Sequence, residues 1–204
     1  IDPHLAWTAQ TDKTKLKMAG TLATIRRNKN YFTPNALRTV IQTLVLSHLE
    51  YCSALLSSAP QTHIDKLQII QNRAARLATN TTFDARLDNL HTQLNWQTVK
   101  ERLFTSTICS FHKIVNENQP KCIFKELQRI ESTHTHNTRL SQRGAFTLAK
   151  PRTKAKTRTF VYRSIKTYNT LPSHITAGNA RTFKEHIKQL SKGKNKHMRL
   201  DTWW

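Results

Sequence analysis

Acidic side chains are scarce in this chain. Of its 204 residues only 12 are Asp or Glu, against 33 Lys or Arg, a formal net charge of +21. That imbalance disfavours an acidic or neutral metabolic enzyme and favours a polyanionic partner. Glycine is scarce too, with four residues. This excludes glycine-rich, collagen-like and elastic chains, and it disfavours a doubly wound nucleotide fold, whose phosphate turns need glycine. The three cysteines, Cys52, Cys109 and Cys122, are far apart and odd in number. They make no disulfide framework, so a reducing compartment is expected. No apolar run is long enough for a membrane span. Apolar residues make up 37% of the chain, below the usual ~45–50% but too many for a wholly disordered one. The chain opens on Ile1 with no signal-peptide pattern behind it, and it is read as a piece of a longer protein.

What is present is unevenly distributed. Residues 1–31 carry six basic and two acidic side chains, residues 32–131 eleven and eight, and residues 132–200 sixteen and one, the lone acid being Glu185. The first two thirds therefore read as an ordinary folded body and the last third as a basic surface or arm.

Helical periodicity dominates the body. One helix is expected over 8–28, with Leu16, Ala19, Leu22, Ala23 and Ile25 inward. A second starts at Thr33-Pro34, cap then first-turn proline, and runs to Leu56. Thr62-His63-Ile64-Asp65 reads as a capping box for a third, ending near Ala78. Further helices are expected over 83–93, 97–117 and 123–130. Beyond Ser132 the reading is a short strand over 145–150, a basic loop over 151–159, a helix over 159–170 ended by Leu171-Pro172, and a last helix to Ser191 capped by Asn179. The fold class is mainly α with a small basic α+β C-terminal region, holding a short strand pair and two helices. The residues 192–204 read as a mobile basic tail.

No catalytic signature occurs: no phosphate-cradling glycine loop, no Gly-x-Ser-x-Gly elbow, no His-Glu-x-x-His. Asp84 and Asp88 sit at helical spacing, either as a metal pair or as a solvated face balancing Arg86. Cys109 and His112 share a helical turn, with Cys122, His134 and His136 downstream; these are zinc-ligand types, but their spacing matches no zinc finger. No catalytic and no metal residue is assigned. The candidate interface is basic. Arg139, Arg143, Lys150, Arg152, Lys154, Lys156, Arg158, Arg163 and Lys166 fall within 28 residues, interleaved with Phe146, Phe160, Tyr162 and Tyr168. Such residues neutralise phosphates and stack on bases, or else form a solvated face. On the third helix Gln71, Asn72, Arg73 and Arg76 read either as a face reaching phosphates and 2′-hydroxyls or as a buried polar seam between helices.

Several blocks occur in order along the chain. They are Ile1-Asp2-Pro3-His4-Leu5-Ala6-Trp7, then Leu46 to Leu56 around Tyr51-Cys52, then Ile64 to Arg76 with its Gln71-Asn72-Arg73-Ala74-Ala75-Arg76 core. Leu94-Asn95-Trp96 through Arg102, Phe111 to Asn116, and Tyr168-Asn169-Thr170-Leu171-Pro172-Ser173-His174-Ile175 followed by Phe183-Lys184 complete the set. Together they resemble the C-terminal part of the reverse transcriptase of non-LTR (LINE-type, jockey-like) retrotransposons. Tyr168 stands where that family has Trp, and Gln97-Thr98 where it has Leu-Pro.

The resemblance implies a parent that makes DNA on an RNA template, primed at a nicked target. It implies that 1–31 close the palm and connect onward, that 32–131 form a helical thumb-like bundle, and that 132–191 form the basic region after it. The palm's metal-binding carboxylates would lie upstream of Ile1, so this piece would have no polymerase activity of its own and no cofactor, while the parent would need a divalent ion, magnesium being expected. Its partners would be RNA and DNA (template–primer, element RNA, target DNA) and the palm of the same parent chain, with no membrane. An intracellular parent, in nucleus and cytoplasm, is implied. A rival reading is a decayed or domesticated fragment acting as a protein-interaction scaffold.

Overall fold

The first helix, α1 (Thr8–Arg27), buries Thr11, Thr14, Met18, Leu22 and Ile25, spaced three and four apart along one stripe. Two threonines can sit inside because each hydroxyl donates to the carbonyl one turn back, Thr11 Oγ1 to Trp7 O at 2.7 Å and Thr14 Oγ1 to Gln10 O at 2.9 Å. The expected stripe needs correcting: Leu16 is 72% exposed and Met18 takes the core position. This is a computed structural model, and it describes residues 7–132, 138 and 142–192. The block at 1–6, His134, His136, Arg139 and the expected tail beyond Lys192 lie outside the described residues.

Helix α2 (Pro34–Val40) starts where expected, Thr33 Oγ1 accepting from Ala36 N at 3.3 Å with Pro34 in the first turn. It does not continue to Leu56. A wide turn over Ile41–Val45, in which Leu46 N donates to Ile41 O at 3.2 Å, leads into α3 (Ser47–Glu50). The wide turn shifts the helical register and brings Ile41, Val45, Leu46 and Leu49 all into the core. Tyr51 is then extended and Cys52 left-handed at φ 52°, which stops the helix before α4 (Ser53–Leu56).

Helix α5 (Gln61–Thr79) opens after Pro60, whose carbonyl accepts from His63 N at 3.0 Å. The expected capping box at 62–65 does not form: the helix already begins at Gln61, whose Nε2 donates to Asp65 Oδ1 at 2.5 Å. A capping box does form at a later helix. Thr98 N donates to Glu101 Oε2 at 2.9 Å and Glu101 N to Thr98 Oγ1 at 3.3 Å, opening α7 (Val99–Glu117). Between them lies α6 (Leu87–Leu94). With glycine scarce, asparagine takes the left-handed positions that end helices: Asn80 at φ 51° after α5, Asn95 at 54° after α6, Asn118 at 55° after α7.

The chain divides into two compact units, one up to Leu103 and one from Phe104, the division falling within α7. The charge-based boundary at 131/132 marks a change in composition and the unit boundary a change in packing. In the first unit α1 packs on α5, on the wide turn and on α3. Its core joins Met18, Leu22, Ile41, Leu49, Ile64, Leu67, Ile70, Leu94, Trp96, Val99 and Leu103.

The second unit holds the rest of α7, α8 (Lys121–Phe124), a 3-10 turn at Ile130–Ser132, α9 (Lys154–Thr157), α10 (Phe160–Tyr168), α11 (Ser173–Thr176) and α12 (Ala180–Lys192). Its centre is aromatic. Phe111 meets Phe146 at 5.8 Å and Tyr168 at 5.2 Å, edge to face, and His112 stacks on Phe183 at 3.8 Å between ring centres. Asn179 caps α12 as expected, its Oδ1 accepting from Thr182 N at 2.9 Å. The helix expected over 123–130 is instead α8 and the 3-10 turn. Within the expected basic loop, α9 is capped by Thr153 Oγ1, which accepts from Lys156 N at 3.3 Å.

Where a strand was expected, the described residues carry one antiparallel bridge, Arg129 with Phe146, held by Ile130 N to Ala145 O at 2.9 Å and Thr147 N to Gln128 O at 2.7 Å. Gly144 makes the turn before it at φ 64°, and a Cβ there would sit 2.7 Å from Arg129 Nη1. Arg129 can swing away; the backbone angle cannot relax. Gly144→Ala is expected to cost about 1–2 kcal/mol, read as a lower midpoint in urea unfolding at unchanged slope. The protein as a whole is mainly helical. Among the described residues no helix is long and apolar enough to cross a membrane.

Candidate nucleic-acid interface

The block from Gln71 to Arg76 is divided by the helix itself. Successive residues on α5 point in different directions, so four polar side chains in six positions cannot share a face. Gln71 turns inward and is fully buried. Its Nε2 donates to Gln97 O at 2.6 Å, satisfying a carbonyl in the loop between α6 and α7. Asn72 sits in the same seam, where its Oδ1 lies 3.0 Å from His91 Nε2 and accepts from Gln68 Nε2 at 2.8 Å. Gln68 Oε1 in turn accepts from Val99 N at 2.8 Å. Gln71 is therefore corrected from a phosphate-reaching residue to a structural one, and Asn72 is committed to the seam. Burial lowers the His91 pKa, with Asp88 opposing, so the ring is neutral at pH 7 and its Nε2–H can donate to Asn72.

Arg73 and Arg76 face the other way, into an open cleft of about 490 Å³ between α1 and α5. Its cationic lining is Arg26 and Lys29 from the end of α1 and just beyond it, together with Arg73 and Arg76 from α5, and no carboxylate lines it. Leu22, Ile70 and Leu77 supply apolar wall. Ala19 and Ala23 also line it; small side chains there leave the gap open where longer ones would fill it. Lys29 Nζ is steadied by Asn80 Oδ1 at 3.2 Å. The Arg76 guanidinium lies over the Phe83 ring, 4.7 Å from its centre, within reach of a cation–π contact. Four like charges around one concavity repel one another, and an anion held among them relieves that repulsion, so the cleft attracts anions.

Sequence reading missed Arg26, Lys29, Asn80 and Phe83. One signal was present: the Ala19–Ala23 pair, one turn apart on the face toward a partner helix and followed by Arg26, is the pattern of a helix that leaves a groove beside basic residues.

In the second unit the expected cluster is mostly in solvent. Arg143, Lys150, Arg152, Lys156, Arg158 and Lys166 are wholly or partly exposed. Lys154 begins α9. Arg139 lies outside the described residues. Arg163 is the exception and is corrected here: it is buried, and burial first, then the neighbouring Arg158 charge, brings its pKa down to about 10. It stays cationic at neutral pH but is withdrawn from the surface.

Of the residues weighed as zinc ligands, His112 is engaged elsewhere and Cys122 is an exposed free thiol. His112 Nε2 donates to Gly178 O at 3.1 Å and Nδ1 accepts from the Tyr168 hydroxyl at 3.1 Å. The Cys109 thiol is pushed up to about 11 by burial, against the pull of Lys184 and Lys188, so it is protonated at neutral pH. Among the described residues no group of three metal-ligating side chains comes together.

The geometry defines a mainly helical protein with a cleft lined by four cationic side chains. Comparison with protein-family models, with curated proteins and with solved structures finds no match in any of the three.

Proposed function

We propose that this chain is a nucleic-acid grip: the thumb and post-thumb portion of a LINE-type reverse transcriptase, holding RNA and DNA while the chemistry is done by a palm elsewhere in the parent. In this reading 1–31 close the palm and connect onward, 32–131 form the thumb-like bundle, and 132–191 form the basic region, whose strand pair would extend the Arg129–Phe146 bridge. Template–primer, element RNA and target DNA are the partners. The chain supplies no catalytic residue and binds no metal, and the parent's palm would use magnesium. The observation that carries the reading is the cleft with four cations and no carboxylate. In this reading Arg26, Lys29, Arg73 and Arg76 would meet phosphates, a contact that reads backbone and shape rather than sequence.

Fluorescence anisotropy with an RNA–DNA hybrid, at two salt concentrations, tests it. Four phosphates neutralised by the cleft make affinity fall about 10²-fold between 50 and 200 mM salt, with little dependence on sequence. Binding that ignores salt, or no binding to RNA, DNA or hybrid, sinks it. The second reading, a domesticated protein-interaction scaffold, draws on exposed Leu44, Tyr51 and Leu55 in the first unit. It takes over if those apolar residues prove necessary for a protein contact and the charged ones for nothing.

A further inference from the structure

Phe83 has no place in the core of its unit. The ring is 81% exposed, although transfer of an aromatic side chain out of water is favourable. It stands at the rim of the cleft, and Arg76 covers it from one side at 4.7 Å. The Arg76 Nε has no hydrogen-bond partner among the described residues, and the guanidinium carbon lies over the ring. The cleft thus combines an aromatic plate, an apolar wall and a rim of cations.

A paired duplex has no use for the first of these. It presents phosphates and groove edges outward and keeps its base faces stacked inside. A planar ring beside cations matches a nucleotide whose base is unpaired, with one face to stack and a phosphate to neutralise. We propose that the cleft takes an unpaired nucleotide of a polynucleotide strand, its base against the Phe83–Arg76 pair and its phosphates on Arg26, Lys29 and Arg73. The volume of about 490 Å³ lies within the ~300–1,000 Å³ of sites that enclose small ligands. This inference rests on the nucleic-acid reading above and narrows it: the grip is selective for a strand end, flap or bulge over an uninterrupted duplex.

The test uses the full chain and two hairpins with equal numbers of phosphates, one fully paired and one with a short single-stranded extension. The extended hairpin is expected to bind about tenfold tighter. Phe83→Ala removes that preference, and Phe83→Trp keeps it. In the wild-type protein, 2-aminopurine placed in the extension changes its fluorescence on binding, as the base leaves its neighbours for the ring. Equal affinity for the two hairpins, a preference that survives Phe83→Ala, or unchanged 2-aminopurine fluorescence overturns the inference while leaving the grip intact. Failure of both hairpins to bind overturns the grip and the inference together.

Discussion

If the cleft grips nucleic acid as proposed, exchanging Arg26 and Arg73 for Glu in one protein is expected to lower affinity for an RNA–DNA hybrid by about 10²–10⁴-fold at low salt. Each arginine that bonds a phosphate makes a charge-assisted hydrogen bond worth about 1.5–3 kcal/mol, and the variant forgoes two of them. The two residues are chosen because both are exposed and line the same cleft from different helices, so neither exchange opens a cavity. Arg and Glu are similar helix formers. Arg26 lies in the last turn of α1, where a carboxylate meets the negative end of the helix and costs about 0.3–1 kcal/mol, small beside the stability of a domain. The salt slope falls by about two as well, one for each phosphate that is no longer neutralised. Anisotropy titrations over a salt series read both numbers. A double variant that stays folded and binds with wild-type affinity removes the cleft from consideration.

The second large effect concerns stability. His112→Ala is expected to destabilise the second unit by about 3–5 kcal/mol. The imidazole stacks on Phe183 with 5° between ring planes and answers both the Gly178 carbonyl and the Tyr168 hydroxyl. Truncation leaves a void, the buried Tyr168 hydroxyl without this partner, and the half-buried Gly178 carbonyl open. Urea unfolding followed by circular dichroism measures the loss; a variant within about 1 kcal/mol of wild type would mean that the ring's hydrogen bonds are replaced by water at no net cost. The Tyr168 hydroxyl stays protonated at neutral pH, since burial pushes its pKa up to about 12 despite the Arg129 charge.

The same ring makes stability depend on pH. Burial lowers the pKa of His112, and that of His91, below the ordinary 6.5. Below pH 6.5 the unfolded chain takes up protons that the native rings refuse. The stabilisation is therefore whole above that pH and is lost as the pH falls toward each ring's lower native value. Urea unfolding is expected to show a lower stability at pH 5 than at pH 7.5, and a smaller difference in His112→Ala. A pH dependence unchanged in that variant excludes His112 as its source.

Helix starts whose caps are local are legible in the residues. Thr33-Pro34 and Asn179 cap where the sequence places them, because a cap involves only the next three backbone amides. The two threonine-led boxes show the limit of that logic. Thr62 to Asp65 and Thr98 to Glu101 look alike in sequence, but Pro60 lets α5 begin before Thr62, so only the second meets free amides. The break at Tyr51-Cys52 is not legible, since no glycine or proline marks it and the left-handed residue is a cysteine. In α1 the buried stripe is hidden by its threonines, whose hydroxyls are satisfied within the helix and so count as apolar surface. Half of the cleft is readable: Arg73 and Arg76 belong to a recognisable block. Arg26, Lys29 and Phe83 come from other segments, and no local pattern says that α1 and α5 lie side by side.

Ending α5 with asparagine instead of glycine has a consequence for the cleft. Either residue tolerates the left-handed turn, but only asparagine has an amide oxygen in its side chain, and it is that oxygen on which Lys29 Nζ rests. One side chain thus serves as terminus and mooring. Unwinding of the final turn of α5 unhitches a cation beside the opposite helix, so charge at the rim is coupled to order at a helix end.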